Sequence, residues 1–191
     1  MHAEATRKLF TVDEYHRMAT AGLFTEDDRV ELIEGEVIEM SPIGLRHAAA
    51  VDRTARQFMP LAIENKVIVR VQNPMWLDSY NEPLPDITLL APRPDFYVTH
   101  HPGPEEVLPA LEVADTSLSY DRDVKIPTYA ARGIRESWIE DLVNDVILVF
   151  RDPGLNGYKT ALTFRHGDSL SPLAFPEFVM TVDQILEGAG R

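Results

Sequence analysis

The chain has 191 residues, of which 45% are hydrophobic and 26% charged, which suits one globular domain (residues 1–191) large enough to bury a sizeable core. Cysteine is absent, which excludes a disulfide framework, a thiolate metal site and a cysteine nucleophile. A net charge of −13 argues against a protein that holds duplex DNA by a broad basic surface, so charge has to be read locally. The first residues lack an apolar signal core, and no apolar run approaches the roughly 18 residues of a membrane span, so a cytoplasmic location is expected.

Thr11-Val-Asp-Glu14 is a capping box, and the spacing predicts a helix from about Val12 to Thr20, ended by Gly22. After an acidic stretch, Glu26-Asp-Asp-Arg-Val-Glu31, the segment Val30–Met40 alternates on both sides of Glu34-Gly35 and reads as a tight β-hairpin. Its acids Glu31, Glu34, Glu36 and Glu39 cannot all face one way; one solvated acidic face accounts for most of them.

Ser41-Pro-Ile-Gly leads into a second helix, Leu45 to Ile63, whose stripe Ala48, Val51, Ala55, Phe58 and Ala62 is expected to be buried. Arg46 and Arg53 fall on the opposite side, as solvated surface with phosphate contact as the lesser reading. His47 lies in the first turn, where helix amides attract anions; a lone histidine there more often caps or packs than ligates. Val67–Val71 reads as a strand, as does Met75–Asp78. The proline-rich stretch from Pro92 to Glu106, with His100-His101, reads as a surface loop.

Pro85-Asp86-Ile-Thr-Leu-Leu is a proline-punctuated entry into a short apolar strand, and Leu108–Ala114 is a second apolar run holding one acid, Glu112. Pairing these strands, about 4.8 Å apart, offers the carboxylates of Asp86 and Glu112 to one hard cation such as magnesium. A polar segment then enters a helix, Asp121 to Arg132, on which Asp121, Lys125 and Thr128 or Tyr129 share a face. Alone, that would be an ordinary Asp–Lys pair worth a few tenths of a kcal/mol. Pro127, tolerated only in a first turn or at a kink, places the start of the regular helix near Lys125 and brings its ammonium toward the strand ends. Tyr129 is expected to pack or hydrogen-bond. Two acids and a lysine in this order are what metal-assisted phosphodiester hydrolysis requires. Gly133, two strands over Glu136–Leu142 and Val143–Phe150, a strand at Tyr158–Phe164 and a helix at Thr181–Glu187 complete an α/β (α+β) sandwich around a mixed sheet.

These residues, Pro85-Asp86, Glu112-Val113, Asp121, Lys125, Tyr129, Gly133 and Trp138-Ile139, together with Thr11–Tyr15, Val30–Glu36, Met40-Ser-Pro42 and His47, resemble the Uma-type family of restriction endonucleases, within the PD-(D/E)xK nuclease superfamily. The resemblance implies a restriction-endonuclease-like core and a magnesium-dependent DNA endonuclease, manganese being an alternative metal, that works as a homodimer. It implies Asp86 and Glu112 as metal ligands and Lys125 as the catalytic lysine. It adds Glu31 or Glu36 as a further metal contact and His47 at the cleft. Two departures stand out. Ala114 occupies the position of the signature lysine, which nominates Lys125 on the following helix, and Ala114–Ser119 replaces a loop that in relatives reads more like Ser-Pro-Ser-Thr. The charge of −13 and the Ala114 position also leave open a non-catalytic nuclease-like binding or regulatory module. A nuclease acting on RNA or single strands is a third reading, lowered by the want of an aromatic stacking platform.

Overall fold

The structure, a computed structural model, describes residues 6–25 and 27–186. The extreme N-terminal reading, Glu26 of the acidic stretch and Glu187 of the last helix lie outside the described residues.

Local signals account for the first elements. Helix α1 (Val12–Thr20) carries the expected capping box, the Thr11 hydroxyl accepting from the Glu14 amide while the Glu14 carboxylate accepts from the Thr11 amide. Strands β1 (Val30–Ile33) and β2 (Glu36–Glu39) form the hairpin, with Glu34 and Gly35 both at positive φ, as a two-residue turn of this hand demands. Gly35 is required twice over, since a Cβ there would sit 2.7 Å from that of Leu9.

Helix α2 (Leu45–Ile63) has the bounds expected for it, but its buried stripe is Ala50, Val51, Thr54, Phe58 and Leu61, with Ala55 and Ala62 only partly buried. Alanines mark a face weakly, and the stripe follows the larger Val51, Phe58 and Leu61, each worth roughly 1.5–3 kcal/mol when removed from water. Arg46 and Arg53 are not free surface groups: Arg46 donates to Asp115 and to the Leu142 carbonyl, Arg53 to the Ile185 carbonyl. Met75–Asp78 is not a ladder strand; its amides reach loop carbonyls, Met75 to Pro83, Trp76 to Pro102 and Leu77 to Asn81.

The main sheet has six strands: β3 (Ile68–Val71), β4 (Ile87–Leu90), β5 (Val107–Ala114), β6 (Glu136–Asp141), β7 (Val146–Gly154) and β8 (Gly157–Phe164), in that spatial order. Every neighbouring pair is antiparallel except β5 and β6. A parallel pair needs a crossover, and the segment from Leu118 to Ala131 supplies it. That crossover opens with a single helical turn, α3 (Leu118–Tyr120), continues as a π-helical turn over Asp121–Lys125 and ends as α4 (Ile126–Ala131). Pro127 sits in the first turn of α4, so the regular helix starts beside Lys125 as its proline requires.

Alternation along β5 separates two cores. Leu111 and Val113 face α2, with Phe58, Trp138 and Val149, and with the C-terminal helix α5 (Val182–Leu186), which follows the short strands β9 (Ser169–Leu170) and β10 (Met180–Thr181). Ala110 and Ala114 face α4, with Ile126, Tyr129 and Ile139. Glu112 shares the parity of Ala110 and Ala114, and so enters the α4 side of the sheet. The result is a mixed α+β sheet flanked by helices, with α1 and the hairpin forming a third, smaller core around Val12, Tyr15 and Leu32.

Candidate active site

The ladder between β4 and β5 sets the site. Ile87 lies opposite Leu111, which places Asp86, at the mouth of β4, next to Glu112 and Val113. Asp86 is nearly buried and held from three sides: the Val113 amide donates to Oδ2 at 2.9 Å, His47 Nε2 lies 3.1 Å from the same oxygen, and the Gln72 amide donates to Oδ1 at 3.1 Å. Burial alone would raise its proton affinity, but His47, Lys125 and the Val113 amide more than reverse this, and Asp86 is held ionised.

Glu112, 2% exposed, is bridged by two groups from the crossover. The Lys125 ammonium donates to Oε2 at 2.9 Å, and the Tyr129 hydroxyl donates to Oε1. Lys125 also lies 3.3 Å from Glu31 Oε2 and donates to the Leu84 carbonyl at 3.2 Å. Glu31, fully buried, is fixed further by the Leu84 amide at 2.9 Å and by the Tyr120 hydroxyl at 3.3 Å. Lys125 therefore pairs across elements rather than with Asp121, whose carboxylate takes the Ser117 hydroxyl. The π-helical turn makes this possible: Ile126 bonds back to the Asp121 carbonyl, and the widened turn carries both Asp121 and Lys125 inward.

Electrostatically the cluster is short of positive charge. Burial pushes Glu112 well above the usual carboxylate range, and it raises Asp121 as well. Burial would lower Lys125, yet Glu112, Glu31 and Asp121 drive it well above its ordinary value. Each of these shifts favours adding positive charge to the site. All of these groups line one cleft of about 450 Å³, together with His47, Tyr120 and the lip Met40–Gly44.

The geometry thus brings together Asp86, Glu112, Lys125, Glu31, His47 and Tyr129. It does not bring Glu36, which shares the face of Glu31 but lies at the turn end of the hairpin, where its half-exposed carboxylate pairs with Arg7 at 2.7 Å. His100 pairs with Glu106 in the surface loop, away from the cleft. Gln72, Tyr120, Glu140 and Thr54 were not singled out by sequence reasoning. Glu140 carried no such mark, since it stands next to Asp141 and close to Glu136, whereas Glu112 is the one acid of its apolar run.

Among the described residues, no three His, Asp or Glu side chains converge as a ready metal cage, and the Lys125 ammonium stands between Glu31 and Glu112. The donors nonetheless fit a hard divalent cation: they are carboxylate oxygens, and magnesium is commonly held by one or two carboxylates with waters completing its shell.

A mixed sheet with carboxylates on two paired strands and a lysine bound to one of them is a restriction-endonuclease-like core. The family described as "Uma2: Putative restriction endonuclease" matches residues 12–183, and the chain belongs to that family. Among solved structures it is similar to a protein described as a putative nuclease belonging to DUF820 from Anabaena variabilis ATCC 29413, with a TM-score of 0.71 and 15% sequence identity, over 94% of this chain and 99% of that one. No curated protein matches the sequence.

Proposed function

We propose that this protein is a metal-dependent DNA endonuclease whose catalytic groups are Asp86, Glu112 and Lys125. The observation that carries the reading is the convergence of an ionised Asp86, a buried Glu112 and a buried lysine in one cleft that favours further positive charge. Magnesium, or manganese in its place, held by Asp86 and Glu112 would activate water and steady the departing oxygen.

The chain's own residues prepare that chemistry. The Val113 amide, His47 and Gln72 fix the Asp86 carboxylate in one orientation, and Tyr129 fixes Glu112. Such supporting partners orient ligands and tune their basicity. Lys125, held charged by Glu112 and Glu31, supplies a fixed positive charge for the negative charge that develops on the phosphate in the transition state. Glu31 gives the ammonium a second carboxylate partner, which would hold it in place if Glu112 bound a cation. Cleavage of both strands of a duplex calls for two such sites, so a homodimer in the cytoplasm is the working unit in this reading.

The charge of −13 and the Lys125–Glu112 pair favour one alternative, a nuclease-like module that binds without cutting. Incubation with supercoiled plasmid at low salt separates the two: nicking with magnesium that EDTA abolishes supports the nuclease, and intact plasmid under every metal tested supports the module.

A further inference from the structure

Strand β3 is one edge of the main sheet, paired on one side with β4 and, among the described residues, with no strand on the other. The Gln72 amide donates to the Asp86 carbonyl at 3.0 Å, which fixes the alternation: Ile68, Arg70 and Gln72 turn their backbone groups toward β4, and Val69 turns its amide and carbonyl outward. An open edge is a template for another strand, and charge along an edge discourages such pairing. The opposite edge, β8, carries Lys159. The one charged residue of β3, Arg70, is folded back, donating to the Phe96 carbonyl at 2.9 Å and lying 5.4 Å from the centre of the Tyr97 ring. A groove of about 610 Å³ runs along this edge, between Met59 and Ala62 of α2 on one side and Pro92, Pro94 and Phe96 on the other. Met59 is 45% exposed and Phe96 66%, so apolar surface flanks the unpaired backbone on both sides.

We propose that a second copy of this chain docks on this edge, β3 against β3 in antiparallel pairing, and joins the two six-stranded sheets into one across a two-fold axis. Charge selects the register. An axis at Arg70 sets two arginines opposite each other, and an axis at Ile68 sets Arg70 opposite Lys66; like charges so placed oppose pairing. An axis at Val71 carries the pairing past Gln72, which sits at positive φ, to Pro74, which has no amide to give. An axis at Val69 opposes no like charges, since Arg70 meets Ile68 and Lys66 meets Gln72. It also sets the outward amide and carbonyl of each Val69 against those of the other, where the two exchange hydrogen bonds. Met59 and Phe96 of each copy then flank the joined strands and leave water. The contact reaches the cleft through Gln72, the residue after β3, whose backbone amide and side chain both hold Asp86. The surface rests on the reading above only in taking a dimer as the working unit.

The test combines sedimentation equilibrium with amide hydrogen exchange read by NMR, on the wild type, Met59→Lys and Phe96→Asn, with Leu155→Lys as a control on an exposed residue of the turn between β7 and β8. Asparagine tolerates the positive φ of position 96. The expected result is a wild-type dimer whose dissociation constant rises roughly tenfold or more in Met59→Lys and in Phe96→Asn and stays in place in Leu155→Lys. The Val69 amide is expected to exchange slowly in the dimer and quickly on dilution or in the two groove variants, while the Arg70 amide, directed at β4, stays slow throughout. A wild type that is monomeric up to the concentrations NMR requires overturns the inference, as does a dimer in which the Val69 amide exchanges no more slowly than in the monomer. Neither readout needs metal or nucleic acid, so plasmid nicking by a monomeric wild type would overturn this interface and leave the nuclease reading standing, whereas a dimer with a protected Val69 amide and no nicking would do the reverse.

Discussion

Lys125 extends from the π-helical turn to lie 2.9 Å from Glu112 on β5 and 3.3 Å from Glu31 on the hairpin, so one ammonium ties three separate elements together inside the cleft. All three side chains are at most 3% exposed. Breaking a buried pair from one side leaves a charge without compensation.

Lys125→Met is therefore expected to lose roughly 3–5 kcal/mol of stability, with two acids left facing each other. Magnesium is expected to restore more of the melting temperature in this variant than it adds to the wild type, since a cation now takes the place of the ammonium. Thermal unfolding with and without magnesium measures both effects. A variant as stable as the wild type would show that the pair is not a structural tie.

Tyr129→Phe removes the hydroxyl that donates to Glu112 Oε1 and leaves a buried acceptor unpaired. The expected cost is about 1–3 kcal/mol in urea unfolding, with cleavage reduced rather than lost. Full activity with unchanged stability would mean that the hydroxyl does not orient Glu112.

The hairpin acids are expected to separate cleanly. Glu36 pairs at the surface with Arg7, and Glu36→Gln should change stability by less than about 0.5 kcal/mol and leave cleavage intact. Glu31→Gln weakens the hold on Lys125 and should lower cleavage. Equal effects of the two substitutions would contradict this division of the hairpin.

Glu140 gives the fold a pH signature. Burial raises its carboxyl from an ordinary 4.5 to about 7. The folded state then binds a proton that the unfolded chain has released, so this contribution to stability is fully present below 4.5 and is lost as pH rises through about 7. Over that window it amounts to roughly 3 kcal/mol. Glu140→Gln cannot ionise, and its stability should fall less steeply than that of the wild type between those limits. Parallel curves from denaturant unfolding across that range would show that Glu140 is not held protonated.

Much of this was legible in the sequence where the signal is local. The capping box, the Glu34-Gly35 turn and the full extent of α2 depend on residues within a few positions of one another. Asp86 and Glu112 could be paired because two short apolar strands, each with one acid, have little choice of partner. Choosing Glu31 over Glu36 was not possible from alternation, because the register puts both on one hairpin face, and which end of that face is buried depends on where β1 meets the Glu82–Leu84 segment. The partners of Lys125 were equally hidden. Helical spacing points to Asp121, and only the π-helical turn, which has no sequence mark beyond Pro127, redirects the lysine to Glu112. Thr54 and Glu140 lie 86 positions apart and meet through packing alone.

The most direct test is cleavage of supercoiled plasmid at low salt by the wild type and Glu112→Gln, each with magnesium, manganese or EDTA. Glutamine keeps the size and hydrogen-bonding reach of Glu112 without its charge, whereas alanine would also strip Lys125 of a partner. The expected result is metal-dependent nicking by the wild type, absent with EDTA and reduced at least a hundredfold in the folded variant. Equal nicking by both proteins would contradict the assignment of the site, and no nicking by the wild type under any of these conditions would contradict the nuclease itself.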